Sequence, residues 1–215
     1  MFTPLSVVLL LIGLALIQPA HATDPCVRRA TQADMNVCAL QGFKEADAEL
    51  NQTWVQVQPK VPRSARPQLV AAQRRWITFR DLHCDFAASL VPSPAAKEQT
   101  YQQCRRALTE ERTGRLRAYR DPGGDIGSID VGTADKALND TYRQLFSEQQ
   151  GIPRERLVKA ERAWIRYRDA VCSFEQTRWA PDSLSADYYE RCQQELTEEH
   201  TRTLTTLLQA DRQDP

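Results

Sequence analysis

"RRWITFRDLHCDF" occupies residues 74–86, and "RAWIRYRDAVCSF" occupies residues 162–174. Trp76, Arg80, Asp81 and Cys84 return as Trp164, Arg168, Asp169 and Cys172, each 88 positions later. The same offset extends outward on both sides. "ADAELNQTW" at 46–54 returns as "ADKALNDTY" at 134–142, and "YQQCRRALTEERTGRL" at 101–116 returns as "YERCQQELTEEHTRTL" at 189–204. Residues 46–116 and 134–204 agree at 25 of 71 positions with no insertion. A duplication is the simplest account of such a period. The segment between the copies, "DPGGDIGS" at 121–128, is glycine-rich and reads as a linker. The expected organisation is a domain over 23–120, a linker over 121–130 and a second domain over 131–210.

Each copy reads as three helices. Glycine is scarce, while Ala, Gln, Arg, Glu and Leu are abundant, which favours helix. Thr31 with Asp34 has the form of a capping box. Met35, Cys38, Phe43, Ala46, Leu50 and Trp54 then follow at mostly helical spacing, up to "PKVP" at 59–62. A second helix is expected from about Ser64 to Leu90, with Leu69, Ala72, Trp76, Phe79, Cys84 and Ala87 facing inward. Pro67 is tolerated only in its first turn. Ser93 and Pro94 form a cap and a first helical residue, and so restart the chain as a third helix. The second copy breaks at "QGIP" (150–153) and "APDS" (180–183). No strand pattern is present. The expectation is an all-α protein of two tandem small three-helix bundles, each with a disulfide-stapled helical hairpin.

The cysteines fit that hairpin. Cys84 and Cys104 lie ten residues either side of Pro94, so an antiparallel pair of helices brings them opposite each other. Cys172 and Cys192 flank Asp182 in the same way. Cys26 and Cys38 have no counterpart in the second copy and are left to pair together. A bridge closing about twenty residues contributes roughly 3 kcal/mol in the chain-entropy picture. That matters in copies whose own cores are small.

Trp76, Arg80 and Cys84 are spaced by four and share one helical stripe. If the cysteine faces the third helix, Arg80 is partly buried and needs an acceptor. Asp47 on the first helix is the first candidate and Glu111 the second; Asp135 holds the equivalent place for Arg168. The arginine–aspartate pairs are expected to brace helices rather than to form a catalytic site. His83 and His200 are unmatched between copies and read as surface residues. No glycine-rich phosphate loop, HExxH or GxSxG occurs. Paired cysteines hold no zinc. No cofactor, metal or catalytic residue is expected, and the protein is not read as an enzyme.

Leu5 to Ile17 is an apolar run with the length of a signal-peptide core, followed by "AHA" at 20–22, so residues 1–22 are expected to be removed. Six cysteines agree with export to an oxidising compartment, periplasmic or secreted, without stable membrane insertion. Arg105, Arg106, Arg112, Arg115 and Arg117 crowd one helix. In an exported protein they read as a solvated face or a contact for anionic envelope polymers, not as a nucleic-acid site. The net charge is zero, but residues 23–120 carry +6 and residues 121–215 carry −6. The second hairpin loop, "RWAPDSLSADYY" at 178–189, combines Trp179 and Tyr188 with Asp182 and Asp187 and is the candidate partner-binding tip.

Cys26, Thr31, Met35 and Cys38, then Ala46-Asp47, Leu50-Asn51, Gln73, Trp76, Arg80-Asp81, Cys84 and Cys104 resemble the LprI-type lysozyme-inhibitor domain. The full set spans 26 to about 119. The second copy matches from Ala134-Asp135 onward and lacks the first cysteine pair. The loops depart from the family, which often has a Gly-Gly-Ser-like stretch after the position of Cys84, and Trp54 stands where the family often has Tyr. The resemblance implies a helical, disulfide-containing envelope protein that binds lysozyme. An exported protein occluding lysozyme is therefore the first expectation, and a non-catalytic envelope-binding adaptor without inhibition the alternative.

Overall fold

The computed structural model describes residues 26, 31–119, 128–179 and 185–213. The expected signal segment, residues 121–127 of the linker and the "APDS" break lie outside the described residues. All regular structure among the described residues is helical. Helices α1 (Gln32–Val57), α2 (Arg66–Ser89) and α3 (Pro94–Ala118) form the first copy, with a 3-10 turn at Gln58–Lys60. Helices α4 (Val131–Glu148), α5 (Gly151–Trp179) and α6 (Ser185–Gln213) form the second.

The punctuation of these helices is local chemistry. The Thr31 hydroxyl accepts from the Asp34 amide at 3.1 Å, and the Asp34 carboxylate accepts from the Thr31 amide at 3.1 Å. Two otherwise orphaned donors are thereby satisfied. Ser93 caps α3 by accepting from the Ala96 amide, with Pro94 in the first turn. Pro67 also sits in a first turn, where its missing amide hydrogen costs nothing. Asp130 caps α4, accepting from the Thr133 amide at 2.9 Å. Gly151 opens α5 at φ 54°, a left-handed conformation that favours glycine. Cys26–Cys38, Cys84–Cys104 and Cys172–Cys192 are disulfide-bonded, and the last two staple the α2–α3 and α5–α6 hairpins.

In each copy the third helix is central. Helix α3 packs on both α1 and α2, and α6 packs on both α4 and α5. The copies then join through their second helices, with α2 against α5. The packing order across the molecule is α1, α3, α2, α5, α6, α4, and a single core runs through both copies.

The junction has an internal two-fold relation. Phe79 and Tyr167 are counterparts in the repeat, and their rings stack at 5.6 Å with 5° between planes. Phe79 meets His200 at 5.6 Å; the related contact is Tyr167 under Arg112 at 5.8 Å. This is an isologous interface within one chain. Polar ties rim it. Arg115 reaches Glu175 at 3.3 Å and Glu199 at 3.1 Å, the Tyr119 hydroxyl donates to Glu175 at 2.8 Å, and Arg156 meets Asp85 at 3.0 Å. Arg178 donates to the Tyr119 carbonyl. Part of the charge difference between the halves is therefore spent in joining them.

Three sequence expectations fail at this junction. His83 and His200 are buried, at 1% and 3% exposure, and Arg112 is buried at 2%. Each lies on a helix whose second face meets the other copy, so a pattern that looks solvent-facing within one bundle is interior in two.

Candidate functional site

Helices α1 and α2 both lean on α3 and diverge from one another. A groove of about 290 Å³ opens between them. One wall comes from α1, with Asp47, Asn51 and Trp54; the other comes from α2, with Gln73, Arg74 and Ile77, and Trp76 at the base. The second copy repeats the construction. A groove of about 270 Å³ opens between α4 and α5, lined by Asn139, Tyr142, Glu161, Arg162, Trp164 and Ile165 among others. Every residue lining the second groove is the 88-offset counterpart of one lining the first. Of the ten positions lining the first groove, eight hold the same residue in the second copy; Trp54/Tyr142 and Gln73/Glu161 are the exceptions. That agreement far exceeds the 25 of 71 found along the whole repeat. Packing accounts for it at Leu50 and Trp76, which are buried, but not at Asn51, Arg74 and Ile77, which are exposed in both copies.

One end of the first groove is closed by Arg80, and its counterpart Arg168 makes the same brace in the second copy. Arg80 lies at 5% exposure, its guanidinium 4.9 Å from the Trp76 ring centroid and 5.2 Å from that of Phe43. Its Nε donates to Asp81 at 2.9 Å, and its Nη1 reaches Asp47 and the Thr109 hydroxyl at 3.5 Å each. In the second copy Arg168 donates to Asp169 at 3.1 and 3.2 Å, reaches Asp135 at 3.5 Å and lies 5.1 Å from the Trp164 centroid. Each arginine thus ties the first helix to the second. The adjacent aspartates, Asp81 and Asp169, make the shorter bonds, and the sequence offered them as partners only by adjacency. Glu111 is not a partner of Arg80. It lies toward Glu199, its own counterpart across the two-fold axis. Partial burial, then the hydrogen bond and charge of Glu199, raise the Glu111 carboxyl above the ordinary carboxylate range, although the residue as a whole stays exposed. Burial pushes Glu199 upward too, but the Glu111 hydrogen bond and Arg115 hold it down, so the pair retains one proton between them.

A second duplicated pair lies beneath the groove walls. The Arg112 Nε donates to the Gln73 side-chain Oε1 at 2.9 Å. At the equivalent positions His200 Nε2 meets the Glu161 carboxylate at 2.8 Å, and the His200 ring stacks on Trp164 at 4.4 Å. The 88-residue register, applied to polar residues as well as to the core, was the signal for these pairs. His83 is enclosed, and burial followed by the nearby His200 lowers its pKa to about 3. It is neutral at physiological pH and out of reach of any substrate. Among the described residues no cluster of three His, Cys, Asp or Glu is arranged to hold a metal.

The expected partner-binding tip is only partly described. Asp187 and Tyr188 lie in the first turn of α6, both half-buried. Asp182 and the side chain of Trp179 lie outside the described residues.

A duplicated, disulfide-stapled helical scaffold with a Trp–Arg–Asp brace in each copy defines a class of small all-α domains. Residues 24–116 and 126–204 each match the family Lysozyme inhibitor LprI, and the chain belongs to that family. It is 31% identical over 115 residues to an uncharacterized protein of Rhizobium meliloti (strain 1021), covering 46% of this chain and 83% of the relative. A crystal structure of an uncharacterized protein from Burkholderia thailandensis shares the fold, with a TM-score of 0.61 and 19% identity over 84% of this chain and 89% of that one. That coverage takes in both copies, so their joint arrangement has a solved counterpart. Family membership and three disulfides mark an exported protein. No described helix is long and apolar enough to cross a membrane.

Proposed function

We propose that this protein binds lysozyme and inhibits it by occlusion, without catalysis and without a cofactor. The observation that carries the proposal is that both copies match a family of lysozyme inhibitors. C-type lysozymes are cationic, and complementary charge speeds and orients docking. The second copy is the acidic half of the chain, and Asp187, Glu190 and Glu198 recur along α6 at helical spacing with their side chains at least partly open to solvent. Docking is assigned to the α6 side and the 178–189 tip, with Trp179 as the apolar anchor and Asp182, Asp187 and Tyr188 around it. The arginine–aspartate pairs Asp47–Arg80 and Asp135–Arg168 serve as helix braces in this proposal. They hold the scaffold and do not touch the partner.

The test is lysis of cell-wall suspensions by lysozymes of several classes in the presence of purified residues 23–215. Lysis slows at micromolar protein if the proposal is right, and unchanged lysis with every class removes it. Trp179→Ala is expected to weaken inhibition more than Val55→Ala, a change at an exposed position of the first copy. Equal effects would discard the tip while leaving inhibition itself intact.

A further inference from the structure

We propose that the exposed face formed by α2 and α5 binds a carboxylated polysaccharide, with one sugar segment in each groove and an arginine cluster between them. The inference is independent of lysozyme binding and uses the opposite face chemistry. A third cavity of about 190 Å³ lies where α2 crosses α5, lined by Arg74, Arg75 and Thr78 from one and Ala163 and Arg166 from the other. Arg74 also lines the first groove, and Arg162, in the second groove, is one turn from Arg166. Groove, cluster and groove therefore form one continuous strip.

The strip is cationic without compensation. Among the described residues Arg74, Arg75, Arg162 and Arg166 make no ion pair and no side-chain hydrogen bond, whereas Arg80, Arg115, Arg156 and Arg168 each meet a carboxylate. The acids near the strip are already engaged: Asp47 and Asp135 by the braces, and Glu161 by His200. Four like charges held together repel one another and are complementary to an anionic partner. A cationic protein such as a C-type lysozyme is repelled from this face.

The grooves narrow the chemistry. Each offers the half-buried face of one aromatic, Trp54 or Tyr142, beside an exposed isoleucine, Ile77 at 42% or Ile165 at 44%. Asn51 or Asn139 stands on the facing wall, an amide that both donates to and accepts from hydroxyls. An apolar ring face flanked by an amide and a guanidinium suits a sugar ring bearing a carboxylate. The volumes suit one or two sugar rings and lie just below the usual range of small-molecule sites. The exposed residues retained in both copies, Asn51, Arg74 and Ile77, are those that such a ligand would touch. Because the two-fold relation reverses one groove relative to the other, each groove holds its own segment. A long polymer then engages both with the avidity of a bivalent binder.

Purified residues 23–215 are titrated by calorimetry with long polygalacturonate, short oligogalacturonate, neutral dextran, inorganic polyphosphate and phosphatidylglycerol vesicles. The expected order places long polygalacturonate first, with the short oligomer weaker by about tenfold or more from lost avidity. The quadruple variant R74A/R75A/R162A/R166A loses binding and flattens the salt dependence, in proportion to the four charges removed. The double variant N51A/N139A, at exposed helical positions, weakens polygalacturonate severalfold and leaves polyphosphate unchanged. Equal binding of polyphosphate and polygalacturonate with N51A/N139A silent would reduce the strip to a general polyanion patch and overturn the proposal. Preference for the vesicles, or no binding to any anionic polymer, overturns it as well.

Discussion

The two copies differ most where they are not forced to agree. Their helix order, hairpin disulfides, Trp–Arg–Asp braces and eight of ten groove-lining positions coincide. The residues beneath the grooves do not. Arg112 with Gln73 in the first copy becomes His200 with Glu161 in the second, and His83 becomes Val171. Arg112, His200 and His83 sit on the sides of α3, α6 and α2 that meet the other copy, and Gln73 and Glu161 tie the first two to the grooves. A duplicated unit first presents identical faces to itself. A stable intramolecular interface then permits asymmetric substitutions, because each need satisfy only one partner. The comparison teaches that this scaffold conserves its outward groove and differentiates its inward seam.

Phe79→Ala is the strongest way to break that comparison. It removes the ring stacked on Tyr167 and is expected to cost about 3–5 kcal/mol, as for a buried aromatic truncated to a cavity. Urea denaturation followed by circular dichroism should show one transition in the parent and two in the variant. A single unshifted transition would mean that the copies do not stabilise each other through this contact. The disulfides sharpen the comparison next. Cys84–Cys104 and Cys172–Cys192 both span 20 residues, so replacing either pair by alanine should cost roughly 3 kcal/mol. Thermal unfolding that separates the two variants by more than about 1 kcal/mol would show that strain or residual structure outweighs loop length.

The braces come third. Arg80→Ala is expected to cost about 2–3 kcal/mol and Arg168→Ala about 1–2 kcal/mol. The values fall below those of a fully buried pair because the partner aspartates are half-open to solvent, and the order follows the burial of the two arginine side chains, 6% and 15% exposed. Chemical denaturation of the two variants tests the order, and a reversal would contradict it. The last effect, absent at neutral pH and developing only in acid, is a pH dependence confined to the first copy. His83 is held at about 3 in the folded protein against 6.5 in the unfolded chain. The unfolded state binds the proton first, so stability is full above about 6.5 and declines as pH falls toward 3. By pH 5 this amounts to about 2 kcal/mol. His83→Val, which installs the residue of the second copy, should flatten that part of the profile of stability against pH. An unchanged acid limb would assign the loss to other groups.

Particular residues show where sequence reasoning reached and where it stopped. The capping box at Thr31–Asp34, the restart at Ser93–Pro94 and the hairpin bridges about Pro94 were legible because each depends on residues within about twenty positions. The grooves were half legible. Asp47, Asn51, Trp76 and Arg80 were visible as a repeated set, but nothing in their spacing says that α1 and α2 diverge and leave those residues around an opening. His83 was misread because α2 buries Phe79, Arg80, His83, Cys84 and Phe86, an arc of nearly half the helix that is wider than the stripe one bundle requires. Such a helix has neighbours on two sides, and a pattern read against one bundle assigns its second face to water.

By itself, then, the sequence determined six helices, their ends, the duplication and the stapled hairpins, because propensity, capping and loop closure act over short separations along the chain. Tertiary structure alone decided that the second helices of the two copies pack together, that Glu111 faces Glu199, and that two grooves and four unpaired arginines share one surface. Those outcomes depend on which mixed helix faces find one another across 88 residues, where complementary shape and mutual burial, not local periodicity, select the partner.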